Sequence, residues 1–217
     1  MAEPSYLRET RASYDTVAVD YAELVRPAFE GDLLGRAMLG AFAELVQEAG
    51  GGPVADVGCG PGHVTAHLRS LGLTAFGVEL SPGMAEVARR DHPDLRFDVG
   101  TMTALESADG ELGGIVAWYS IIHTPPEVLP AVFEEFHRVL APGGHLLLGF
   151  HVGDERRRKK QGYGGHATTL DVYLLPPDRI AELATRAGLV VHARLVGEPE
   201  SARIPHACLL VRKPRNS

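Results

Sequence analysis

Val54-Ala55-Asp56-Val57-Gly58-Cys59-Gly60-Pro61-Gly62 joins a short apolar run to a helical pattern, and its reading decides the fold. Val54–Val57 has the length of a buried strand, Gly58 closes it, and His63–Leu71 then reads as a helix. Glycines let the backbone turn sharply and approach a ligand where a Cβ would clash. The next strand, Thr74–Leu80, carries Glu79 at its end, about twenty positions beyond Gly58. An acidic side chain there can accept hydrogen bonds from both hydroxyls of a ribose. Loop and carboxylate together read as a nucleoside-binding signature. It departs from the dinucleotide fingerprint, whose third glycine would fall at His63. Asp56 also precedes the loop inside the strand, and its charge suits a cationic amino-acid ligand better than a diphosphate.

Working outward, Ser81-Pro82-Gly83 opens a helix through Arg90, with Ser81 as N-cap and Pro82 in the first turn. Leu95–Val99 and Ile115–Tyr119 read as the third and fourth strands. An amphipathic helix spans Glu127–Leu140 and stops at Ala141-Pro142-Gly143-Gly144, before a fifth strand, His145–Phe150. Apolar strands alternating with helices imply a parallel sheet covered on both faces. The end differs: a helix over Pro177–Ala187, stopped by Gly188, then strands Leu189–Val196 and His206–Arg212 with no helix between them. Such a pair is antiparallel. The expectation is one α/β domain over 1–217, a Rossmann-like seven-stranded, mostly parallel sheet with one antiparallel strand and helices on both faces. Residues 1–45 carry helical patterns and precede the core, as a lid or cover. Residues 151–175, rich in charge, Gly and His, form an insertion over the usual ligand crevice.

Composition narrows the function. Of 217 residues, 45% are hydrophobic and 23% charged, as in a soluble folded protein. A net charge of −7 argues against a surface that coats nucleic acid. No apolar run approaches the ~20 residues that span a bilayer, and the first fifteen or so carry no apolar signal region. Cys59 and Cys208 have no metal-ligand spacing and read as reduced thiols of a cytoplasmic protein. The run Arg156–Lys160 reads as a solvated face, or as a contact for an acidic substrate.

At this point the sequence resembles the class I S-adenosylmethionine-dependent methyltransferases of the small-molecule type, collinearly over most of its length. VADVGCGPG resembles that family's first motif, and GVELSPGMAEVARR its acidic strand end with the following helix. GGIVAWYSIIH and EFHRVLAPGGHLLLGF resemble its fourth and fifth strands, and SYDTVAVDYAEL a lid helix ahead of the core. The resemblance implies S-adenosyl-L-methionine as cofactor and S-adenosyl-L-homocysteine as product. By matching position, Gly58, Gly60 and Gly62 would line the methionine part, with Asp56 behind the loop or reaching the amino group through water. Glu79 would bind the ribose and Leu80 pack on the adenine. Thr101 and Met102 fall beside the adenine, Thr101 where the family usually has Asp. Tyr14 and Tyr21 would close over the methionyl end.

The stretch Trp118–His123 follows the fourth strand; Trp118 would border the cofactor, and His123 stands within reach of the transferred methyl as the catalytic candidate. A His capping the next helix is the other reading. Glu79 as a helix-cap partner, Asp56 as a loop support, and Met84 and Met102 as packing residues are the plain structural alternatives. His151, Tyr163 and His166 could line an acceptor pocket. The Asn/Asp-Pro-Pro-Tyr motif of base-methylating relatives is missing, and no acidic cluster has metal-binding spacing, so neither nucleic acid nor metal is expected. The expected partner is a small molecule, with no membrane, and the protein a monomer or homodimer. Two other readings remain open: an NAD(P)-dependent oxidoreductase, and a cofactor-binding scaffold without catalysis.

Overall fold

Two helices precede the sheet in the computed structural model, which describes residues 3–197 and 204–215. They are α1 (Ser5–Gly31) and α2 (Leu33–Glu48), separated by Asp32, whose side chain accepts from the Gly35 amide and caps α2. The alternating core follows: β1 (Pro53–Val57), α3 (His63–Ser70), β2 (Thr74–Glu79), α4 (Pro82–Asp91), β3 (Phe97–Val99), β4 (Leu112–Trp118), α5 (Leu129–Val139) and β5 (Leu140–His151). A hairpin, β6 (Glu155–Gln161) and β7 (Ala167–Leu174), then leads to α6 (Pro177–Arg186), β8 (Val190–Val196) and β9 (His206–Arg212).

The main sheet has the order β3-β2-β1-β4-β5-β9-β8. β9 pairs antiparallel with both β5 and β8, and the other neighbours are parallel. The apolar strands expected from the sequence are covered on both sides, and parity decides which side each residue faces. Val54, Val116, Leu147 and Leu210 pack with Leu39, Phe42 and Val46 of α2 and Leu68 of α3. Their neighbours Ala55, Ile115, Leu146, Leu148 and Leu209 pack with Phe133 and Phe136 of α5 and Ile180 and Ala184 of α6. The β8 edge carries His192 and Arg194, polar side chains that discourage further strand pairing.

One boundary differs from the sequence reading. The breaker cluster 141–144 does not separate α5 from the fifth strand. Pairing starts at Leu140 opposite Leu112 and resumes at His145 opposite Gly114, so the cluster loops out as a bulge, with Gly143 at φ +86. Ser81 caps α4 as expected, its Oγ accepting from the Met84 amide.

Residues 151–175, read from the sequence as an insertion, contain an antiparallel ribbon that packs on α1, with the Thr169 amide donating to the Ser13 hydroxyl. β6 is exposed at every position, so its own sequence carries no burial signal. It is a strand because β7 beside it buries Leu170, Val172 and Leu174.

Candidate functional site

The C-terminal ends of β1, β2 and β4 converge under α1. The loop from β1 to α3 turns there on three glycines with positive φ, and each has a different reason to lack a side chain. A Cβ on Gly58 would overlap that of Ser120. One on Gly62 would lie 2.7 Å from the Phe97 ring, so Gly62 caps α3 and packs inward. Gly60 alone faces open space, the nearest atom to its absent Cβ being in the Tyr21 ring at 3.7 Å. Of the three glycines read as lining a ligand, Gly62 does not: spacing alone cannot distinguish a packing glycine from a cavity glycine.

A cavity opens between this loop, β2 and α1. Tyr14, Tyr21, Gly58, Gly60, Glu79, Leu80, Thr101, Met102, Trp118 and His123 all line it. Glu79 is buried and fixed by the backbone: Oε2 accepts from the Gly60 amide at 2.8 Å and Oε1 from the Ser81 amide at 2.9 Å. Burial raises its pKa while these donors oppose the shift. The helix-cap role is therefore real, and each oxygen keeps a lone pair for the cavity.

Asp56 lies behind the loop. Its Oδ2 accepts from Thr65 Oγ1 at 2.6 Å, whereas Oδ1 is buried without a hydrogen-bond partner in the structure. Burial pushes its pKa up to about 7. Met84 is fully buried against α1 and lines the same cavity, and Met102 Sδ accepts from Thr124 Oγ1 at 3.3 Å. Thr101 Oγ1 stands 3.1 Å from Thr103 Oγ1.

His123 ends a short 3-10 helix, Ile121–His123, and does not cap α5. Its Nε2 lies 2.7 Å from the Tyr14 hydroxyl and its Nδ1 2.9 Å from the Asp171 carbonyl on β7. A carbonyl only accepts, so Nδ1 carries the proton and Nε2 accepts from Tyr14. Burial lowers the His123 pKa to about 4 and keeps the ring neutral. Tyr14, Tyr21 and Tyr163 meet edge to face in series, at 5.6 and 4.8 Å between centroids.

A second hollow, about 2040 Å³ and open to solvent, adjoins the first across Tyr14, Gly58, Trp118 and His123. Asp56, His151 and Tyr163 line it; His166 instead turns outward to Asp20 at 2.7 Å, away from the acceptor pocket where the sequence suggested it. Sequence reasoning also missed Tyr119, whose φ of +54 is the only positive value among described non-glycine residues. Such a conformation costs on the order of 1–3 kcal/mol. It puts the ring against Trp118 and His151 and the hydroxyl 3.0 Å from His206 Nδ1. Asp15 was inside the quoted lid motif but without a role; Oδ1 accepts from Ser81 Oγ at 2.6 Å and the Gly83 amide at 2.9 Å, tying α1 to the start of α4. Among the described residues no group of three or more His, Cys, Asp or Glu could hold a metal, and no helix is long and apolar enough to cross a membrane.

Residues 54–144 match the family described as "Methyltransferase domain". An uncharacterised methyltransferase of Oceanobacillus iheyensis is 27% identical over 126 residues, 54% of this chain and 59% of that protein. Methyltransferase GfsG of Streptomyces halstedii is 35% identical over 121 residues, 52% of this chain and 43% of that one. The chain thus spans about half the length of the curated relatives it matches. In fold it is similar to the Burkholderia thailandensis 1,6-didemethyltoxoflavin-N1-methyltransferase, solved with 1,6-didemethyltoxoflavin and S-adenosylhomocysteine. That likeness has a TM-score of 0.68 at 21% identity, over 99% of this chain and 93% of the other.

Proposed function

We propose that the chain is a class I S-adenosylmethionine-dependent methyltransferase that moves a methyl group from S-adenosyl-L-methionine to an O, N or C atom of a small molecule, a reading supported by the methyltransferase-domain match over residues 54–144. The observation that carries this reading is the pair of hollows meeting at the glycine loop, one bordered by Glu79, Leu80 and Thr101 and one open to solvent beside His151 and Tyr163. The residues present fit the cofactor. Gly60 leaves the room that a Cβ would fill, Glu79 keeps lone pairs toward the cavity, and the unpartnered Oδ1 of Asp56 suits an ammonium, directly or through water. Leu80, Thr101, Met102 and Trp118 then border the adenosine, with Tyr14 and Tyr21 over the methionyl end.

The cofactor supplies, when bound, a methyl carbon on a cationic sulfur that leaves readily. The chain's own residues align the acceptor and exclude water. The Tyr14–Tyr21–Tyr163 series covers the junction, and an in-line displacement gains from that fixed approach. Tyr14 and His123 can manage an acceptor proton. A hydroxyl that donates to Tyr14 Oη lets the Tyr14 proton pass to His123 Nε2, while the Asp171 carbonyl holds the ring by Nδ1–H. The acceptor is a small molecule rather than nucleic acid on this reading, and the enzyme a cytoplasmic monomer or homodimer. Its two buried free thiols support that compartment.

One experiment tests the whole reading. S-adenosylhomocysteine raises the melting temperature by mass action and NADH does not. Labelled cofactor then transfers its methyl to a compound in a producing-cell extract, identified by mass. No thermal shift and no labelled product overturn it.

A further inference from the structure

The five cations Arg156–Lys160 sit on β6, and the hairpin register sorts them. Arg156 stands opposite Tyr173 and Arg158 opposite Asp171, whose Oδ2 lies 2.6 Å and 3.8 Å from their guanidinium groups. Arg157 pairs with Glu155. Lys159 stands opposite Leu170, which is 6% exposed, so Lys159, itself exposed, lies on the face of the ribbon that carries Leu170. Its ammonium lies 5.7 Å from the Tyr163 ring centroid, and it lines the open hollow beside Tyr119 and His151. No carboxylate among the described residues lies within ion-pair distance of it. Lys160 falls in the register shift between Lys159 and Gln161 and does not line the hollow.

An exposed cation at the rim of this hollow, with no counter-charge in reach, gains little from its surroundings beyond one cation–π contact. It also lowers the proton affinity of both His123 and His151 from a distance. An anion arriving in the hollow would relieve both effects. We propose that the acceptor has an aromatic or otherwise apolar body and one anionic group, which Lys159 receives while the body lies against Trp118 and Tyr119. This rests on the methyltransferase reading for the word acceptor, but the anion site stands on the hairpin geometry. His151, kept neutral by burial, and the apolar Val172 put no negative charge on that wall; the carboxylates that line the hollow, Asp56 behind the glycine loop and Asp32 capping α2, belong to other elements.

The test uses 3-phenylpropanoate and its neutral counterpart 3-phenylpropanamide, titrated into the full chain with and without S-adenosylhomocysteine. Trp118, the only tryptophan, reports occupancy of the hollow by its fluorescence. The acid binds about tenfold tighter than the amide, the gain of one charged hydrogen bond in a partly open site, and salt reduces the difference. Lys159→Gln brings the acid down to the amide's affinity; Lys160→Gln leaves the tenfold ratio in place. Melting curves of both variants check that the hairpin is intact. Equal binding of acid and amide, binding of neither, or an acid preference that survives Lys159→Gln overturns the proposal. Binding of S-adenosylhomocysteine, read in the same samples, decides the methyltransferase reading separately.

Discussion

At the scale of single residues, Glu79 and Asp56 are two buried carboxylates with opposite tasks. Glu79 has both oxygens on backbone amides, so Glu79→Ala removes a loop brace as well as the ribose contact proposed for it. The folded variant should lose about 2–3 kcal/mol of cofactor affinity by calorimetry; unchanged affinity rejects the assignment. Asp56 has one oxygen without a partner and a pKa of about 7, against 3.8 for an ordinary Asp. Below pH 7 it therefore holds a proton that the unfolded chain has released, and a cationic ligand beside Oδ1 displaces it. S-adenosylhomocysteine binding at pH 6 should thus release up to about one proton, seen as a binding enthalpy that varies with the buffer's ionisation enthalpy. Asp56→Asn should abolish that buffer dependence. An identical dependence in the variant would mean that the released proton comes from elsewhere.

Elements are held by contacts between segments far apart in sequence. Asp15 on α1 caps α4, and Asp15→Ala should cost roughly 1–2 kcal/mol of stability, as lost N-caps do, and loosen the cover. If that cover opens and recloses around ligands, S-adenosylhomocysteine slows amide exchange in residues 10–25, and an acceptor adds protection in 151–175. Exchange that is the same with and without ligands leaves a permanently packed helix instead. The glycine loop, Glu79, the capped α4 and the antiparallel end of the sheet were legible in the sequence because each is written in local residue types: glycine, a strand-end acid, Ser-Pro, and two strands with no helix between. The hairpin was not. ERRRKKQ has no apolar alternation, and it pairs because Leu170, Val172 and Leu174 on the neighbouring strand are buried. His166 was placed in the pocket because histidines in an insertion suggest chemistry, yet the Gly-rich turn points it to Asp20. Tyr119 carried no signal at all, since its strain exists only in the folded backbone.

For the molecule as a whole, burial of histidine sets the response to acid. His63, His123, His145 and His151 are each lowered to about 4 by burial, against 6.5 for a free imidazole. Between those values the unfolded chain binds more protons, so each contributes stability that is present above pH 6.5 and lost as pH falls through 4. Asp56 acts in the opposite sense, favouring the fold as pH drops from 7 toward 3.8. Glu79, also raised by burial, acts with Asp56, so four groups stand against two and the net is a loss. The melting temperature should fall steadily from pH 7 to pH 4.5, and His151→Asn should flatten the decline. A melting temperature that holds or rises over that range contradicts the burial of these rings as neutral species.

The bond from His123 to β7 has a consequence for how such a protein can change over generations. The partner is the carbonyl of residue 171, which every amino acid possesses. The ribbon's backbone thus holds the Tyr14–His123 pair, while the side chain proposed to meet the acceptor is that of Lys159. Descendants can exchange those side chains and acquire new acceptors without rebuilding the reaction centre, provided the strand's register holds. A one-residue deletion in the turn, by contrast, would shift which carbonyl meets the imidazole. Drift in this ribbon is therefore tolerated at its exposed positions, not at buried Leu170, Val172 and Leu174, and is constrained in length.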